Sequence, residues 1–489
     1  MPSLRKKINK QRTQKRSRKY ILFWSALVGF HIIGFFMSLN ALMSARTPQG
    51  TTAWVLALNT VPFISVPTYL VFGEVDFEEY IEEKQIYASQ IEPTIQRLHE
   101  TLEQQNLIAE TFKGSAALRD TLLPLPATRS NAAELLPDGP KAFESIFEGI
   151  SQAQDYVLIQ FFTIADDEVG SELARRLIER SQAGVACYVI YDDIGTKVSD
   201  DYLAPMHQAG VQSVSFNVVP QWNKLFRLNF RNHRKLIVVD GHSAWIGGMN
   251  VKADYMNWRD TMARFDGPVV QTLQVSFLQD WAWSRDEVLE DLNWQPKSHS
   301  EQGQDVAVAS LPSSPTDGFE RYTLFLLDVI HHAEERLWIA SPYFVPDDVI
   351  VRALQAAALR GVEVKILIPD ETDTLIARLA QFAAWSYIRE LEAAGAEMFQ
   401  YTSPFMHQKI ILSDNDYCII GSANFDNRSF RLNFELSAVV SDRAFNRQVT
   451  EMLQQDFNNA TAIKQSDLDG QGFWERVRVR ASRLAAPVL

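Results

Sequence analysis

Cysteine is almost absent from this chain: its 489 residues include two, Cys187 and Cys418, each inside an apolar run. Two such thiols make neither a disulfide framework nor a cysteine metal cluster, and they suit a reducing compartment. A surplus of positive charge is missing as well. Lys and Arg number 47 against 60 Asp and Glu, a net charge of -13. That balance argues against a general nucleic-acid binder, because phosphate backbones reward excess cations. No group of His, Cys and carboxylates stands at metal-ligand spacing, so no metal and no other cofactor is expected.

What is present begins with an uneven charge. Residues 1–20 carry nine Lys or Arg and no acid, which leaves -22 on the remainder. Two apolar runs follow. "ILFWSALVGFHIIGFFMSLNALM" (21–43) is long enough to cross a bilayer, with His31 and Asn40 as its polar interruptions. "TTAWVLALNTVPFISVPTYLVFG" (51–73) is nearly as apolar, and Pro62 and Pro67 are expected to kink it, which membrane helices tolerate. A signal peptide is the competing reading of the first run. Its basic region is too long for that, and a second run follows within ten residues. The basic residues before the first run, against Arg46 alone in the short loop, place the N-terminus in the cytoplasm and return the chain there after two spans. Residues 74–119 open on the acidic "EVDFEEYIEEK" and read as a polar helical stalk.

The rest is long for one domain and reads as two α/β halves. "DYVLIQFFTIADDEVGSELARRLIERSQAGVACYVIYDD" (155–193) runs strand, helix, Gly-Val, strand, and "RLWIASPYFVPDDVIVRALQAAALRGVEVKILIPDE" (336–371) repeats that order. Gly184-Val185 corresponds to Gly361-Val362. Such alternation implies βαβ units around a mixed sheet. The stretch 295–318, rich in Pro, Ser and Gln, is the expected linker.

A second repeat carries the chemistry. "HRKLIVVDGHSAWIGGMN" (233–250) has its partner in "HQKIILSDNDYCIIGSAN" (407–424). In both, His precedes Lys by two residues, Asp by seven, the first Gly by fourteen and Asn by seventeen. One copy of His-x-Lys-x4-Asp is a weak signal; two copies with the same tail in the same register are a strong one. Asp240-Gly241 and Asp414-Asn415-Asp416 are turn signals between apolar runs, so each copy folds as a hairpin. That pairing would set His233 opposite Asn250 and Lys235 opposite Gly248, and likewise His407 opposite Asn424 and Lys409 opposite Ser422. Residues two apart share a strand face, so each hairpin offers His, Lys and Asn from one patch. Asp240 and Asp414 fall on the other face and read as structural, in the turn or in a salt bridge.

Two such patches supply two ammonium groups and two imidazoles. A phosphodiester gathers further negative charge on its oxygens during attack, and fixed cations there are the largest available catalytic contribution. The lysines can provide what a metal otherwise would. One neutral imidazole can attack phosphorus, while the other, protonated, donates to the leaving alcohol and then acts as base for the incoming one.

These residues resemble the phospholipase D superfamily, whose signature is the paired His-x-Lys-x4-Asp motif. The bacterial cardiolipin synthase branch is the nearest resemblance, through "NHRKLIVVDG", "SPYFVPDD", "GSANFDNRSFRLNFE" and two N-terminal spans joined by "RTPQGT". The resemblance covers roughly residues 120–489. It implies two similar halves, 120–300 and 301–489, each a mixed β-sheet flanked by helices, sharing one active site and preceded by two transmembrane helices. It makes His233, Lys235 and Asp240, with His407, Lys409 and Asp414, the two catalytic motifs. It puts Asn250 and Asn424 on the substrate phosphate, and the histidine of the N-terminal motif as nucleophile. It also implies a carboxylate orienting each histidine. Asp260 lies 27 residues after His233 and Glu435 lies 28 after His407, so both carry over.

The implied activity transfers a phosphatidyl group from one phosphatidylglycerol to another in the bacterial inner membrane, giving cardiolipin and glycerol. A phospholipase D-type hydrolase, or a headgroup exchanger such as a phosphatidylserine synthase, would use the same motifs. A non-catalytic lipid-binding scaffold would be expected to have lost a motif His or Lys, and all four are present. The basic neighbours Arg227, Arg231 and Arg234 read equally as headgroup ligands or as a solvated edge. Arg428 and Ser429 read as loop supports. The tail "FWERVRVRASRLAAPVL" (473–489) reads equally as a membrane-surface segment or as a cap on the second half.

Overall fold

The computed structural model describes residues 2–44, 48–73, 78–109, 115–216, 230–299, 304–370 and 374–488. The chain divides into two compact units, one holding residues up to 80 and the other the rest of the described chain.

In the first unit, helix Pro2–Ser44 contains Lys19–Met43, which among the described residues is the one helical stretch long and apolar enough to cross a membrane, with mean hydropathy 1.9. The second apolar run is two shorter helices, Pro48–Thr60 and Pro62–Phe72, broken at Val61. Pro62 causes the break: it has no N–H to give the carbonyl of Leu58. That carbonyl lies against Gly34, where a Cβ would stand 2.3 Å from the oxygen. Pro67 is accommodated inside its helix. Two side-chain bonds pin the helices together. Asn59 Nδ2 donates to Ser38 Oγ at 2.7 Å, and the Tyr69 hydroxyl donates to Asn40 Oδ1 at 2.6 Å. Polar residues that interrupt an apolar run are thus satisfied by one another, as a low-dielectric environment demands.

The second unit is built on one mixed sheet. In chain order its first half supplies β1 (Thr128–Leu136), β2 (Tyr156–Phe161), β3 (Ala186–Asp192), β4 (Gln212–Phe216), β5 (Arg231–Asn232), β6 (Leu236–Val239), β7 (Ser243–Gly247) and β8 (Met262–Asp266). The second half supplies β9 (Val306–Ser313), β10 (Arg336–Ala340), β12 (Glu363–Pro369), β13 (Glu397–Tyr401), β14 (Ile410–Ser413), β15 (Tyr417–Gly421), β17 (Asn433–Ser441) and β18 (Ala460–Ile463), while β11 (Phe344–Val345) and β16 (Phe425–Asp426) pair with each other in a separate two-stranded sheet. The centre of the sheet is the antiparallel pair β1–β9. Outward from it the first half runs β8, β7, β6, β2, β3, β4, and the second runs β17, β15, β14, β10, β12, β13, with β18 at the far edge. The two halves are the same strand order turned about the centre, which is the expected repeat.

One expectation fails here. The supposed linker contains β9, which pairs with both β1 and β17. Its "VAVASLPS" alternates enough apolar residues to be buried between two neighbours despite Pro312. The stretch expected as a polar helical stalk is helical over Glu78–Gln104 and packs against the first half. Helix Glu78–Gln104 buries Leu98 and Leu102 with Leu107, Leu125 and Val275. Residues 74–77 of the acidic stretch lie outside the described residues.

Local signals explain the matched features. Asp167 caps helix Glu168–Gln182 by accepting from the amides of Val169 and Gly170, and Asp347 caps Asp348–Leu359 through Ile350. Gly184 and Gly361 both sit at φ +95°, past the ends of those helices. The amide of Val185 then bonds the Arg180 carbonyl, and that of Val362 the Ala357 carbonyl. A left-handed glycine closing a helix, followed at once by a buried strand residue, is why Gly-Val recurs. Every residue of β2 is buried, as befits a strand covered on both faces. Helices supply that cover, with Phe143, Ile146, Leu173 and Leu177 in the first half and Tyr322, Leu326, Ile350 and Leu354 in the second. Cys187 and Cys418 are buried free thiols.

Candidate active site

Each motif forms the expected hairpin, β6–β7 and β14–β15, but one residue out of the expected register. Val239 pairs with Ser243 and Leu236 with Ile246; Ser413 pairs with Tyr417 and Ile410 with Ile420. Continued outward, that ladder sets Lys235 opposite Gly247 and Lys409 opposite Gly421, one residue short of Gly248 and Ser422. The cause is a three-residue turn in each copy, in which Asp240 and Asp414 both take φ +53°. His, Lys and Asn nevertheless gather, because residues 233–235 and 248–250 lie just beyond the ladder, as do their counterparts in the second copy.

The turn aspartates are structural, and their place in the catalytic set is corrected. The Asp240 carboxylate accepts from the amides of Gln154, Asp155 and Tyr156 at 2.8–2.9 Å. Asp414 accepts from Glu334, Glu335 and Arg336 at 2.7–3.2 Å. Each ties its hairpin turn to the start of the neighbouring strand, β2 or β10, through these backbone amides.

The histidines sit at the other end of the hairpins, and each is held by the opposite half. His233 Nδ1 lies 3.0 Å from both oxygens of Glu435. His407 Nδ1 lies 2.8 Å from Asp260 Oδ2. Both carboxylates inferred from spacing contact a motif histidine, but each meets the other motif's. Backbone pairing enforces the exchange. β5 runs parallel to the start of β17, and the His233 amide donates to the Phe434 carbonyl at 2.9 Å. The His407 amide donates to the Arg259 carbonyl at 2.8 Å. An ionised carboxylate only accepts, so Nδ1 carries the proton in both rings and Nε2 presents a lone pair.

The small residues of the motif tails make room for these carboxylates. A Cβ on Gly248 would lie 2.2 Å from Asp260 Oδ1. At the equivalent position Ser422 instead donates to Glu435 Oε2. Glu435 is further bound by Ser429 Oγ at 2.8 Å and Asn433 Nδ2 at 3.0 Å. Ser429 also accepts from the Asn424 amide at 3.0 Å, so it supports the loop as expected and links it to the carboxylate. Asn433, in the "LNFE" motif, was not singled out from sequence; nothing but its position beside Glu435 marks it.

Electrostatics set the protonation states. Burial, with the charges of Lys235 and Lys409, lowers the His233 pKa from 6.5 to about 4, against the opposing pull of Glu435. Burial and Lys409, then Lys235, lower that of His407 to about 3, against Asp260. The Lys409 ammonium is 2.8 Å from His407 Nδ1, whose proton is directed to Asp260, so it opposes a second proton on the ring. Burial lowers Lys235 to about 7 and Lys409 to about 8. Burial opposes ionisation of Glu435, yet His233 and Lys235, with the Ser422 bond, hold its pKa down to about 2. Both histidines are therefore neutral in the empty site at neutral pH. That differs from the expected neutral and protonated pair.

The remaining predicted residues divide. Asn250 Oδ1 accepts from the Thr163 amide at 3.1 Å and its Nδ2 donates to the Tyr255 hydroxyl at 2.7 Å. Asn424 is equally buried, but its Oδ1 has no partner. Arg234 is neither a headgroup ligand nor a solvated edge. It is buried, with bonds to Asp280 at 2.7 Å and to the Glu435 and Ser276 carbonyls. Arg231 is buried as well, and Arg227 lies outside the described residues. Aromatic rings wall the imidazoles. Phe162 meets His233 edge-on at 5.2 Å, and Tyr255, Trp258 and Phe405 surround His407 at 5.4–6.0 Å. Of these, Trp258 stands two residues before Asp260, but no pattern identified any of them. Among the described residues no group of three or more His, Cys, Asp or Glu is placed to hold a metal ion.

The likenesses to known proteins agree with this geometry. The family model described as cardiolipin synthase, PLD-like domain, matches in two parts, residues 146–281 and 326–457. A protein named cardiolipin synthase A from Pseudomonas fluorescens is 38% identical over 470 residues, 94% of this chain and 97% of its own length. One of the same name from Pseudomonas syringae is 39% identical over 480 residues, 96% of this chain and 98% of its own. Among solved structures, the phosphatidylserine synthase of Haemophilus influenzae superposes with a TM-score of 0.61 at 15% identity, over 76% of this chain and 99% of that one, a likeness of fold. Matched in both halves by one family model, and aligned almost end to end with relatives of that kind, the chain belongs to the cardiolipin synthase family with phospholipase D-like domains.

Proposed function

We propose that this chain is a cardiolipin synthase that moves a phosphatidyl group from one phosphatidylglycerol to the hydroxyl of a second, releasing glycerol. The observation that carries the reading is the joined pair of half-sites, His233 with Glu435 and His407 with Asp260, in a chain so close to the cardiolipin synthases.

In the reaction, His233 Nε2 attacks phosphorus and a P–N bond forms as the bond to the glycerol oxygen breaks. His407 gives that oxygen a proton, so glycerol leaves neutral. The hydroxyl of the second phosphatidylglycerol then returns a proton to His407 and attacks phosphorus, and the P–N bond breaks. One phosphodiester replaces another, so no other co-reactant is needed. Lys235 and Lys409 hold the phosphate oxygens, with the free amide hydrogens of Asn250 and Asn424. The empty site keeps both imidazoles neutral because burial disfavours their charged form and the two ammonium groups repel a further proton. A bound phosphodiester anion offsets that repulsion, so the acid proton arrives with substrate. Glu435 and Asp260 fix the ring tautomers and stabilise whichever imidazole becomes cationic.

The same reading places residues 1–20 as a basic cytoplasmic segment and 21–73 as two transmembrane helices, the second kinked at Val61. Residues 74–119 connect them to the halves 120–300 and 301–489, which face the cytoplasm at the bacterial inner membrane. The excess of Lys and Arg before the first span supports that orientation. Purified protein in detergent with phosphatidylglycerol as the sole lipid tests the function. Cardiolipin and glycerol in equal amounts are expected. Phosphatidic acid in their place would make the chain a hydrolase.

A further inference from the structure

The C-terminal segment has two faces, and one is accounted for. On it Val479, Ser482 and Ala486 are buried. Arg483 lies 4.5 Å over the Tyr387 ring and pairs with Glu390 and Asp348, and Asn427 Nδ2 donates to the Ala486 carbonyl at 3.0 Å. The cap expected from sequence is thus real. The opposite face is apolar as well, and it is bare. Phe473 is 63% exposed, Trp474 73%, Val477 38% and Leu484 84%. Phe473, Trp474 and Val477 share one side of helix Phe473–Ser482 at i, i+1 and i+4, and Leu484 follows in the 3-10 turn Arg483–Val488. Arg476 and Arg480 border that side on one flank and Arg478 on the other, all exposed. The helix holds one acid, Glu475, 2.9 Å from Arg478.

We propose that this face docks the catalytic unit on the surface of an anionic lipid bilayer. Large apolar side chains ringed by arginines fit the headgroup–acyl boundary, where rings and methyls enter the lipid and guanidinium groups meet phosphates. Charge favours lipid over a second copy of the chain. A two-fold contact through this face would stack the arginine flanks of one helix on those of the other. The docked face is also mechanically close to the chemistry. Asn427, which holds Ala486, also donates to the Val345 carbonyl at 2.9 Å. It begins the short helix Asn427–Arg431 that carries Ser429 to Glu435. Docking would therefore hold the loop of Asn424 behind the docked helix, linked to it through Asn427.

The inference rests on the membrane reading above, and the test separates the two. Cys187 and Cys418 are buried, so one introduced surface cysteine takes a fluorophore selectively. Full-length Trp474→Cys, Phe36→Cys and Ser171→Cys are labelled with an environment-sensitive dye and placed one per nanodisc with bromine-bearing acyl chains. Position 36 reports insertion of the N-terminal helix, and position 171, exposed on the first half, is the solvent control. With phosphatidylglycerol in the disc, quenching at 474 should approach that at 36 and exceed that at 171 several-fold. Arg476→Glu, Arg478→Glu and Arg480→Glu together should return 474 to the level of 171. Quenching at 36 with none at 474 overturns the docking face and leaves the anchor standing. Quenching at neither overturns both. Equal quenching at 474 in purely zwitterionic discs overturns the anionic preference. A dye response at 474 seen only with two chains per disc assigns the face to a second copy instead.

Discussion

His233 is held by Glu435, 3.0 Å away and 202 residues further along the chain. The reverse exchange joins His407 to Asp260, 147 residues back. Each half supplies its motif histidine to the other half's carboxylate, so neither motif completes its imidazole–carboxylate pair within its own half. One shared site is therefore a consequence of backbone pairing at β5–β17 and at Arg259–His407, and not of mere proximity.

Removing a carboxylate should cost rate rather than binding. Glu435→Gln and Asp260→Asn keep hydrogen-bonding volume but lose the charge that stabilises the cationic ring, and each should lower kcat by about 10²–10⁴-fold with little change in KM. Histidine-selective NMR of the detergent-solubilised protein checks the exchange itself. Glu435→Gln should move the His233 Nδ1–H signal and leave that of His407. Movement of His407 instead would mean the carboxylates serve their own halves.

The turn aspartates should behave oppositely. Asp240→Ala and Asp414→Ala each strand three backbone amides and put alanine at φ +53°. Losing such charge-assisted bonds should cost roughly 2–4 kcal/mol of stability. At a temperature where the variant stays folded, kcat should remain within a few-fold of wild type. Thermal unfolding beside a product assay decides, and a variant of undiminished stability that is inactive would return these residues to the catalytic set.

Much of this was legible because the signals were local. The paired motifs, the Gly-Val repeat and the two hairpins rest on turn residues and alternation that short stretches fix. The register did not follow, because the turn closes over three residues and one residue shifts every cross-strand partner. The carboxylate exchange was invisible: the spacings 27 and 28 measure the repeat and carry nothing about which half each side chain faces. β9 was hidden because Pro312 and its serines resemble a linker until two neighbouring strands bury them. The basic flank of His233 misled for a related reason. Arg234 is spent on Asp280 and the Glu435 carbonyl inside the core, a partner that only tertiary structure supplies.

The buried histidines predict how stability depends on pH. Unfolded, both titrate near 6.5; folded, they titrate at about 4 and about 3. Between those values the unfolded chain binds protons that the folded chain refuses, so acid favours unfolding. Their contribution is whole above pH 6.5 and falls as the pH drops toward 4 for His233 and toward 3 for His407. At full titration the loss is of the order of 3 kcal/mol for His233 alone. Comparing Tm between pH 7 and 4.5 for wild type and for His233→Gln with His407→Gln isolates this from other groups. The wild type should lose more; parallel curves would show that the rings are not held neutral by the fold.

Chelation gives an independent check on the cationic clamp. With Lys235 and Lys409 charged against the phosphate, activity should survive exhaustive EDTA treatment. Lys409→Met should lower kcat/KM by at least about 10²-fold, as expected when a fixed charge on a transition-state oxygen is lost. Abolition by EDTA with recovery by one particular divalent ion would overturn the lysine clamp.

The nucleophile is the last assignment to test. The family resemblance gives this role to His233. A phosphatidyl–histidine must persist until an alcohol arrives, and the other imidazole must by then have lost its proton to act as base. His233→Asn should therefore form no adduct. His407→Asn should form it slowly, for want of an acid, and resolve it slowly, for want of a base. Acid-quenched trapping with labelled phosphatidylglycerol, followed by peptide mapping, reads both. Label on His233 in wild type, retained longer in His407→Asn and absent from His233→Asn, is the expected pattern. Label on His407, or label kept in His233→Asn, would exchange the two roles. The two-step transfer would survive that reversal, because each ring has its proton on Nδ1, a carboxylate behind it and an unprotonated Nε2, that of His407 lying 3.3 Å from Lys409.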